Sequence, residues 1–184
     1  MNLYTKLAFS LLKAANIKNY GSTESGRSTN LTNYNDYNDN NTQAWDVTGA
    51  MPGFKEKLLL VKRLPENKDD PRVYAFMSIA TPKNPKPTAL AYLALKDIEG
   101  WQNRLSEIVG LKTEVAHRRK GLASGLLAVA SKLENKNLVV HPDPMSDKSV
   151  TRENIEKMYL DNGFKHVDKT DPKAPLIRHN YVED

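Results

Sequence analysis

The residues best suited to do chemistry lie in one short run, His117-Arg118-Arg119-Lys120-Gly121-Leu122-Ala123-Ser124. It joins a stretch with strand character to one in which Leu122, Leu126, Ala130 and Leu133 share a helical face with Ala123 and Leu127. A helix N-terminus presents roughly half a positive charge and four amide donors that have no intrahelical partner. Acidic side chains normally sit there. Here Arg118, Arg119 and Lys120 gather instead, with no acid in the first turn. A bound anion turns that repulsion into attraction, and phosphate is the usual one. Gly121 and the small Ala123 let the backbone approach it closely. The bland alternative is a solvated basic turn ahead of an ordinary helix, and local charge alone leaves the two readings level.

What the run lacks narrows the kind of phosphate site. It has neither the Lys-Ser/Thr pair of a Walker A loop nor the three glycines of a dinucleotide fingerprint. Arg118-x-x-Gly121-x-Ala123 after a strand resembles the acetyl-CoA pyrophosphate loop of the GNAT (Gcn5-related) N-acetyltransferases, where Arg/Gln-x-x-Gly-x-Gly/Ala opens the central helix. About forty residues later, Tyr159-Leu160-Asp161-Asn162-Gly163-Phe164 is similar to that family's Tyr-x-x-x-Gly-Phe. The two matches stand in the correct order on the correct kinds of element. The resemblance runs from about Val73 to Val182 and leaves the N-terminal 55 residues unexplained.

The resemblance implies an α/β (α+β) fold, a GNAT-like mixed and mainly antiparallel central sheet flanked by helices on both faces. It implies acetyl-CoA as cosubstrate, no metal, and transfer of an acetyl group to a primary amine. Backbone amides from Arg119 through Gly121, Leu122 and Ala123 to Ser124 would cradle the pyrophosphate. The side chains of Arg118, Arg119 and Lys120 would add charge near it. The backbone of Thr113 to Val115 would grip the pantetheine, with Val115 or Ala116 where the family often has proline. Tyr159 matches the general acid that protonates the CoA sulfur, and its ordinary pKa near 10 keeps it protonated at neutral pH. Glu107 resembles the strand glutamate that serves as base in histone-type members, with Glu114 and His141 as the other candidates. The family often has Asn seven residues before the tyrosine; this chain has Arg152.

Composition constrains the same chemistry. The chain has 184 residues and no cysteine, which excludes disulfides, thiolate metal sites and an acyl-cysteine intermediate. Direct attack in a ternary complex is therefore the expected route. The net charge of +5 favours an anionic partner, and the segment 101–140 carries seven Lys/Arg against three Glu. Part of that surplus belongs to CoA phosphates. The acceptor readings are a small amine, a peptide amine or a protein lysine; alternatively an aminoacyl-tRNA, as in toxin members of the family, which alone would bring in nucleic acid. A third reading is a non-catalytic GNAT-fold interaction module. A monomer or homodimer is expected. No apolar stretch approaches the roughly 20 residues of a membrane span, so a soluble cytoplasmic protein is expected.

The elements that must position these residues follow from pattern. Leu3, Leu7, Leu11 and Ala15 recur every fourth residue with Ala8 and Leu12 alongside, one face of an amphipathic helix. Residues 19–50 have loop composition and an Asn/Asp/Tyr tract, giving an N-terminal unit over 1–55 ahead of an acyltransferase domain over 56–184. Within that arm Tyr34, Tyr37 and Trp45 are candidates to stack on a ligand. Strands are predicted over Lys57–Leu64, Arg72–Ala80, Thr88–Leu95 and Leu105–Val115, with the last three as an antiparallel meander. A helix from Leu122, a strand at Asn137–His141, a helix over Thr151–Asn162 and strands at Phe164–Val167 and Leu176–Val182 complete the chain. Acceptor choice is expected to lie in residues 19–55 and 82–87.

Overall fold

The computed structural model describes residues 42–51, 54, 57–78, 88–101, 104–143, 150–171 and 173–180. Strands β1 (Thr42–Asp46), β2 (Leu58–Arg63), β3 (Arg72–Ser78), β4 (Ala89–Asp97) and β5 (Leu105–Thr113) come first. Then follow helix α1 (Leu122–Glu134), β6 (Asn137–Val140), helix α2 (Arg152–Asp161), β7 (Lys165–His166) and β8 (Leu176–Arg178). They form one mixed sheet in the order β1-β2-β3-β4-β5-β6-β8-β7. Every neighbouring pair is antiparallel except β5 and β6. Short links can join only antiparallel neighbours, whereas a parallel pair needs a crossover, which α1 provides. The mixed, mainly antiparallel sheet and the predicted β3–β4–β5 meander are both present, and the meander extends back to β1.

Alternation along the strands divides the apolar side chains between two faces. Leu58 and Leu60, Tyr74 and Phe76, and Leu93 and Leu95 point to the face that receives Leu122, Leu126, Leu127 and Val129 of α1 and Tyr159 of α2. The paths β5–α1–β6 and β6–α2–β7 step across the sheet in one direction, and right-handed crossovers put both helices on one face. The opposite face carries Leu59, Val61, Ala75 and Met77, with Ala44 and Tyr92 beside them. Strands buried on both faces read as continuous apolar runs, as β2 and β3 do. Among the described residues no helix is long and apolar enough to cross a membrane.

The polar composition of 19–50 misled at its end. Thr42–Asp46 is strand β1, in register with β2 so that Trp45 lies opposite Leu60. Trp45 is buried in the core rather than free to stack on a ligand. Val47, Met51 and Phe54 join the same core, so these residues belong to the packing of the sheet rather than to a polar arm. Pairing with β2 outweighs the weak strand propensity of so short a segment. Tyr34, Tyr37, the helix expected over 3–15 and the turn 82–87 lie outside the described residues.

Candidate active site

The site begins where two parallel strands part. β5 pairs with β6 only through Leu105↔Asn137, Ser106↔Leu138 and Glu107↔Val139. Beyond Glu107, β5 runs on to Thr113 paired with β4 alone. The register with β4 shifts so that Leu95 faces Ile108 while Ala94 faces Gly110. Val109 is thus the extra residue of a bulge, which bends β5 and increases its twist. The edge of β5 from Ile108 to Thr113 is left without β6 as a partner. A glycine inside a strand is a signal for such a bulge, and Gly110 stands beside it.

The basic run follows directly. Val115–His117 forms one 3₁₀ turn, whose Val115 carbonyl accepts from the Arg118 amide at 3.3 Å. Arg119 has φ +61° and Gly121 φ +80°, so two left-handed residues fold the loop back over the start of α1. That conformation suits Gly121 and is uncommon for arginine. The first intrahelical bond runs from the Gly125 amide to the Gly121 carbonyl at 2.9 Å. The amides of Leu122, Ala123 and Ser124 precede it, Gly121 supplies no side-chain cap, and the first turn holds no acid. The geometry is a set of backbone donors at a positive helix end, flanked by cations.

The three cations are placed differently. Arg118 is half-buried and its Nε donates to the Thr113 carbonyl at 3.3 Å, tying the loop to the end of β5. Arg119 is exposed. Lys120 is also exposed, with Nζ 5.5 Å from the centre of the Phe54 ring. Phe54 lies 6.0 Å from the His117 ring, and His117 Nδ1 is buried with no hydrogen-bond partner among the described residues. Met51 and Phe76 press on α1 at Gly125, where an added Cβ would lie 3.3 Å from Met51 Sδ and 3.1 Å from Phe76 Cε2. The β1–β2 connection therefore braces the loop and the first turns of α1, a role the sequence did not announce.

α2 brings the tyrosine to the same end of α1. Thr151 caps it by accepting from the Asn154 amide at 3.3 Å. At its other end Asn162 Nδ2 donates to Ser124 Oγ at 3.0 Å and to the Met158 carbonyl at 2.8 Å. The first turn of α1 and the last turn of α2 are thus joined by a direct bond. Tyr159 is 4% exposed and packs edge-on against Phe164 with ring centres 5.1 Å apart. Burial pushes its phenol well above the ordinary tyrosine range, which holds the proton on oxygen. Its hydroxyl makes no hydrogen bond among the described residues.

Glu107 stands apart from this group. Ser106 and Ile108 point to the α1 side, so Glu107 between them points to the opposite face, level with Lys96 and Val139. It is half-buried at the last row before β5 and β6 separate. Glu114 is exposed and paired with Lys112 at 3.1 Å, and His141 is exposed. Val115 is 72% exposed, and Thr113 is half-buried at the mouth of the strand gap. No group of three His, Asp or Glu side chains among the described residues could hold a metal ion.

No family model matches the chain, and no curated protein matches it by sequence. Solved structures are similar in fold. A GNAT-family acetyltransferase from Staphylococcus aureus Mu50 matches with TM-score 0.40 and 12% identity over 59% of this chain and 66% of that one. A GNAT-family N-acetyltransferase from Escherichia coli in complex with CoA matches with TM-score 0.39 and 15% identity, over 57% of each chain. Tetrahymena Gcn5 matches with TM-score 0.40 and 12% identity over 62% of this chain and 72% of that one. Over these shares the chain is similar in fold to GNAT-family N-acetyltransferases.

Proposed function

We propose that the protein is an acetyl-CoA-dependent N-acetyltransferase. The observation that carries this reading is the acid-free N-terminus of α1, crowned by Arg118, Arg119 and Lys120 and opening beside the gap between β5 and β6. Unpaired amides on a left-handed turn suit a diphosphate, and the free β5 edge suits an extended chain that carries amide groups. Acetyl-CoA has both parts. The donor amides of Leu122 to Ser124 hold the diphosphate, with Arg119 as the exposed cation beside it. Arg118 holds the loop against Thr113.

In the proposed reaction the acceptor nitrogen attacks the thioester carbonyl carbon, a C–N bond forms and the C–S bond breaks. Tyr159 supplies the proton that the departing sulfur takes up; its burial keeps that proton in place until it is needed. The proton released by the amine goes to Glu107, directly or through one water. An acid on the α1 face and a base on the opposite face suit a reaction in which donor and acceptor meet through the strand gap.

Thermal unfolding with and without acetyl-CoA tests the reading. Stabilisation of about 2–3 kcal/mol is expected at a ligand concentration near 100 times Kd. No shift with acetyl-CoA or CoA would sink it. Thiol release with a panel of small amines, lysine peptides and aminoacyl-tRNA then identifies the acceptor class. Tyr159→Phe should lower kcat about 100-fold, in the range of general-acid effects, while leaving acetyl-CoA affinity unchanged. Undiminished turnover removes Tyr159 from the acid role.

A further inference from the structure

Tyr92 of β4 points to the sheet face opposite α1, the face that also carries Glu107. It pairs across to Lys112 of β5, and the next row pairs Ala94 with Gly110. A Cβ added at Gly110 would lie 3.5 Å from Tyr92 Cε2 and 3.6 Å from Ala94 Cβ. The outer edge of the ring therefore reaches across from β4 and rests on β5 at a residue without a side chain. An aromatic ring laid on a strand glycine stabilises a sheet by itself. The position of this ring gives it a second use. Pairing with β6 ends at Glu107↔Val139, so Gly110 and the ring over it stand at the mouth of the strand gap, on the side away from Tyr159. The ring is half-buried.

Glu107 is the next polar group along β5 on this face. One row of the sheet, roughly 7 Å, separates it from Gly110. Its half-buried carboxylate takes no hydrogen bond or ion pair from a described residue, although the exposed Lys96 is its cross-strand neighbour. The ground beside the ring and the carboxylate is apolar, with Ala94 8% and Val139 9% exposed.

We propose that Tyr92 and Glu107 form the acceptor slot, and that the acceptor is a primary alkyl amine entering as its ammonium ion, the chemistry of a lysine side chain or of a small alkylamine. This rests on the transferase reading above and adds the class of acceptor to it. An ammonium group set between the two lies within about 6 Å of the ring centre, whose negative face attracts a cation, and within about 4 Å of the carboxylate. The methylene stem suits the apolar floor of Ala94, Gly110 and Val139, as lysine stems do on apolar surfaces. Glu107 then takes an N–H proton as the nitrogen bonds to the thioester carbon, so one carboxylate both anchors the cation and receives its proton. A neutral or anionic acceptor gains neither attraction. Tyr92 meets the acceptor but not the bond that forms, so its effect falls on acceptor affinity.

Thiol release at saturating acetyl-CoA, with n-butylamine, a lysine peptide and an α-amino ester as acceptors, tests the class. Turnover is expected with n-butylamine, the lysine peptide or both, which separates the two sources of the same ammonium. It should be weaker with the ester, whose nitrogen has no methylene stem. No turnover with either alkyl amine by a protein that binds acetyl-CoA, or turnover with the ester alone, overturns this proposal and leaves the transferase reading standing. Tyr92→Leu keeps apolar bulk but removes the ring. It should raise KM for the preferred amine about 5-fold or more, with kcat and the KM for acetyl-CoA nearly unchanged. Tyr92→Phe should restore the low KM. Gly110→Val, whose methyl groups take the place of the ring, should raise the same KM as Tyr92→Leu does. An unchanged KM in both Tyr92→Leu and Gly110→Val overturns the proposal. Saturation-transfer NMR reads the slot without chemistry: n-butylammonium should bind more tightly than 1-butanol, and Tyr92→Leu should shrink the difference. Equal binding of the two overturns the proposal. Loss of acetyl-CoA binding with that preference intact would instead sink the transferase reading, and with it the use of this ammonium site as an acceptor slot.

Discussion

At one end α1 faces Arg118, Arg119 and Lys120; at the other it finishes on Glu134. Both ends carry charge of the sign that the helix dipole disfavours. At the C-terminal end the protein answers with its own cations. Arg72 Nε lies 2.9 Å from Glu134 Oε2, Lys62 Nζ lies 3.3 Å from Oε1, and the Tyr74 hydroxyl donates to Oε1. Arg72 also forks onto Asp97 at 2.7 and 2.6 Å, with Ser106 and Lys136 completing the cluster at 2.9 and 3.0 Å from Asp97 Oδ1. At the N-terminal end no acid answers the basic residues within the first turn. One end is a closed network of side chains, and the other is the end proposed above to take an anion from outside.

That contrast breaks most visibly at Glu134. Its side chain is 5% exposed, and its carboxylate is where Arg72, Lys62 and Tyr74 meet, Arg72 being shared with Asp97. Glu134→Ala leaves the nearby cations without it, and breaking a buried pair from one side costs about 3–5 kcal/mol. Chemical denaturation should show this loss as a lower midpoint. Acetyl-CoA binding by the folded fraction should be unchanged, because the substitution lies at the far end of α1. A loss confined to binding would mean that the network is part of the site.

Gly121→Glu attacks the open end. It places a side chain where φ is +80° and a negative charge among the amides proposed to hold the diphosphate. Affinity for acetyl-CoA should fall at least about 100-fold, equivalent to about 2.7 kcal/mol. Calorimetric titration checks it. The two variants should dissociate cleanly, one in stability and one chiefly in binding, and a Gly121→Glu protein that binds normally would close the case against this loop.

Acid separates the ends in another way. Hydrogen bonds from Arg72, Lys136 and Ser106 hold the Asp97 carboxyl well below the usual carboxylate range, with Arg72 the largest influence. Its folded pKa is depressed, so its stabilisation is present above the unfolded value near 3.9 and is lost as pH falls below that. Stability should decline from about pH 4 downward. In Asp97→Asn that part of the decline should be absent. An unchanged acid limb in the variant would show that the network does not govern it.

Much of this was legible where the encoding is local. The loop proposed as the anion site showed itself through Arg118 to Gly121, α1 through its periodic leucines, and the proposed acid Tyr159 through its spacing from Gly163 and Phe164. What the sequence concealed depends on pairing between distant positions. β1 was hidden because Thr42–Asp46 has little propensity of its own and acquires its state from β2. The parting of β5 and β6 depends on a bulge at Val109, for which Gly110 was a signal that went unused. Glu107 was found as a strand acid, but only the register shows it on the face away from Tyr159. Arg72, Asp97 and Glu134 are ordinary charged residues until the sheet brings them together.

Lys120 offers the smallest effect and the finest discrimination. The sequence places it with the phosphate-binding cations, whereas the structure sets its ammonium 5.5 Å from the centre of the Phe54 ring. An exposed cation–π contact is worth about 0.5–1 kcal/mol. If Lys120 serves mainly to brace the loop through Phe54, Lys120→Gln should lower stability by that amount and weaken acetyl-CoA binding less than about 3-fold. A charge-assisted bond to phosphate is worth about 1.5–3 kcal/mol, so loss of that role would weaken binding by about 10-fold or more. The salt dependence of affinity would then also become shallower. The parallel substitution Arg119→Gln, at a cation with no such aromatic partner among the described residues, calibrates the comparison. A larger binding defect at Arg119 than at Lys120 is the expected order, and the reverse order would show that Lys120 leaves Phe54 when the anion arrives.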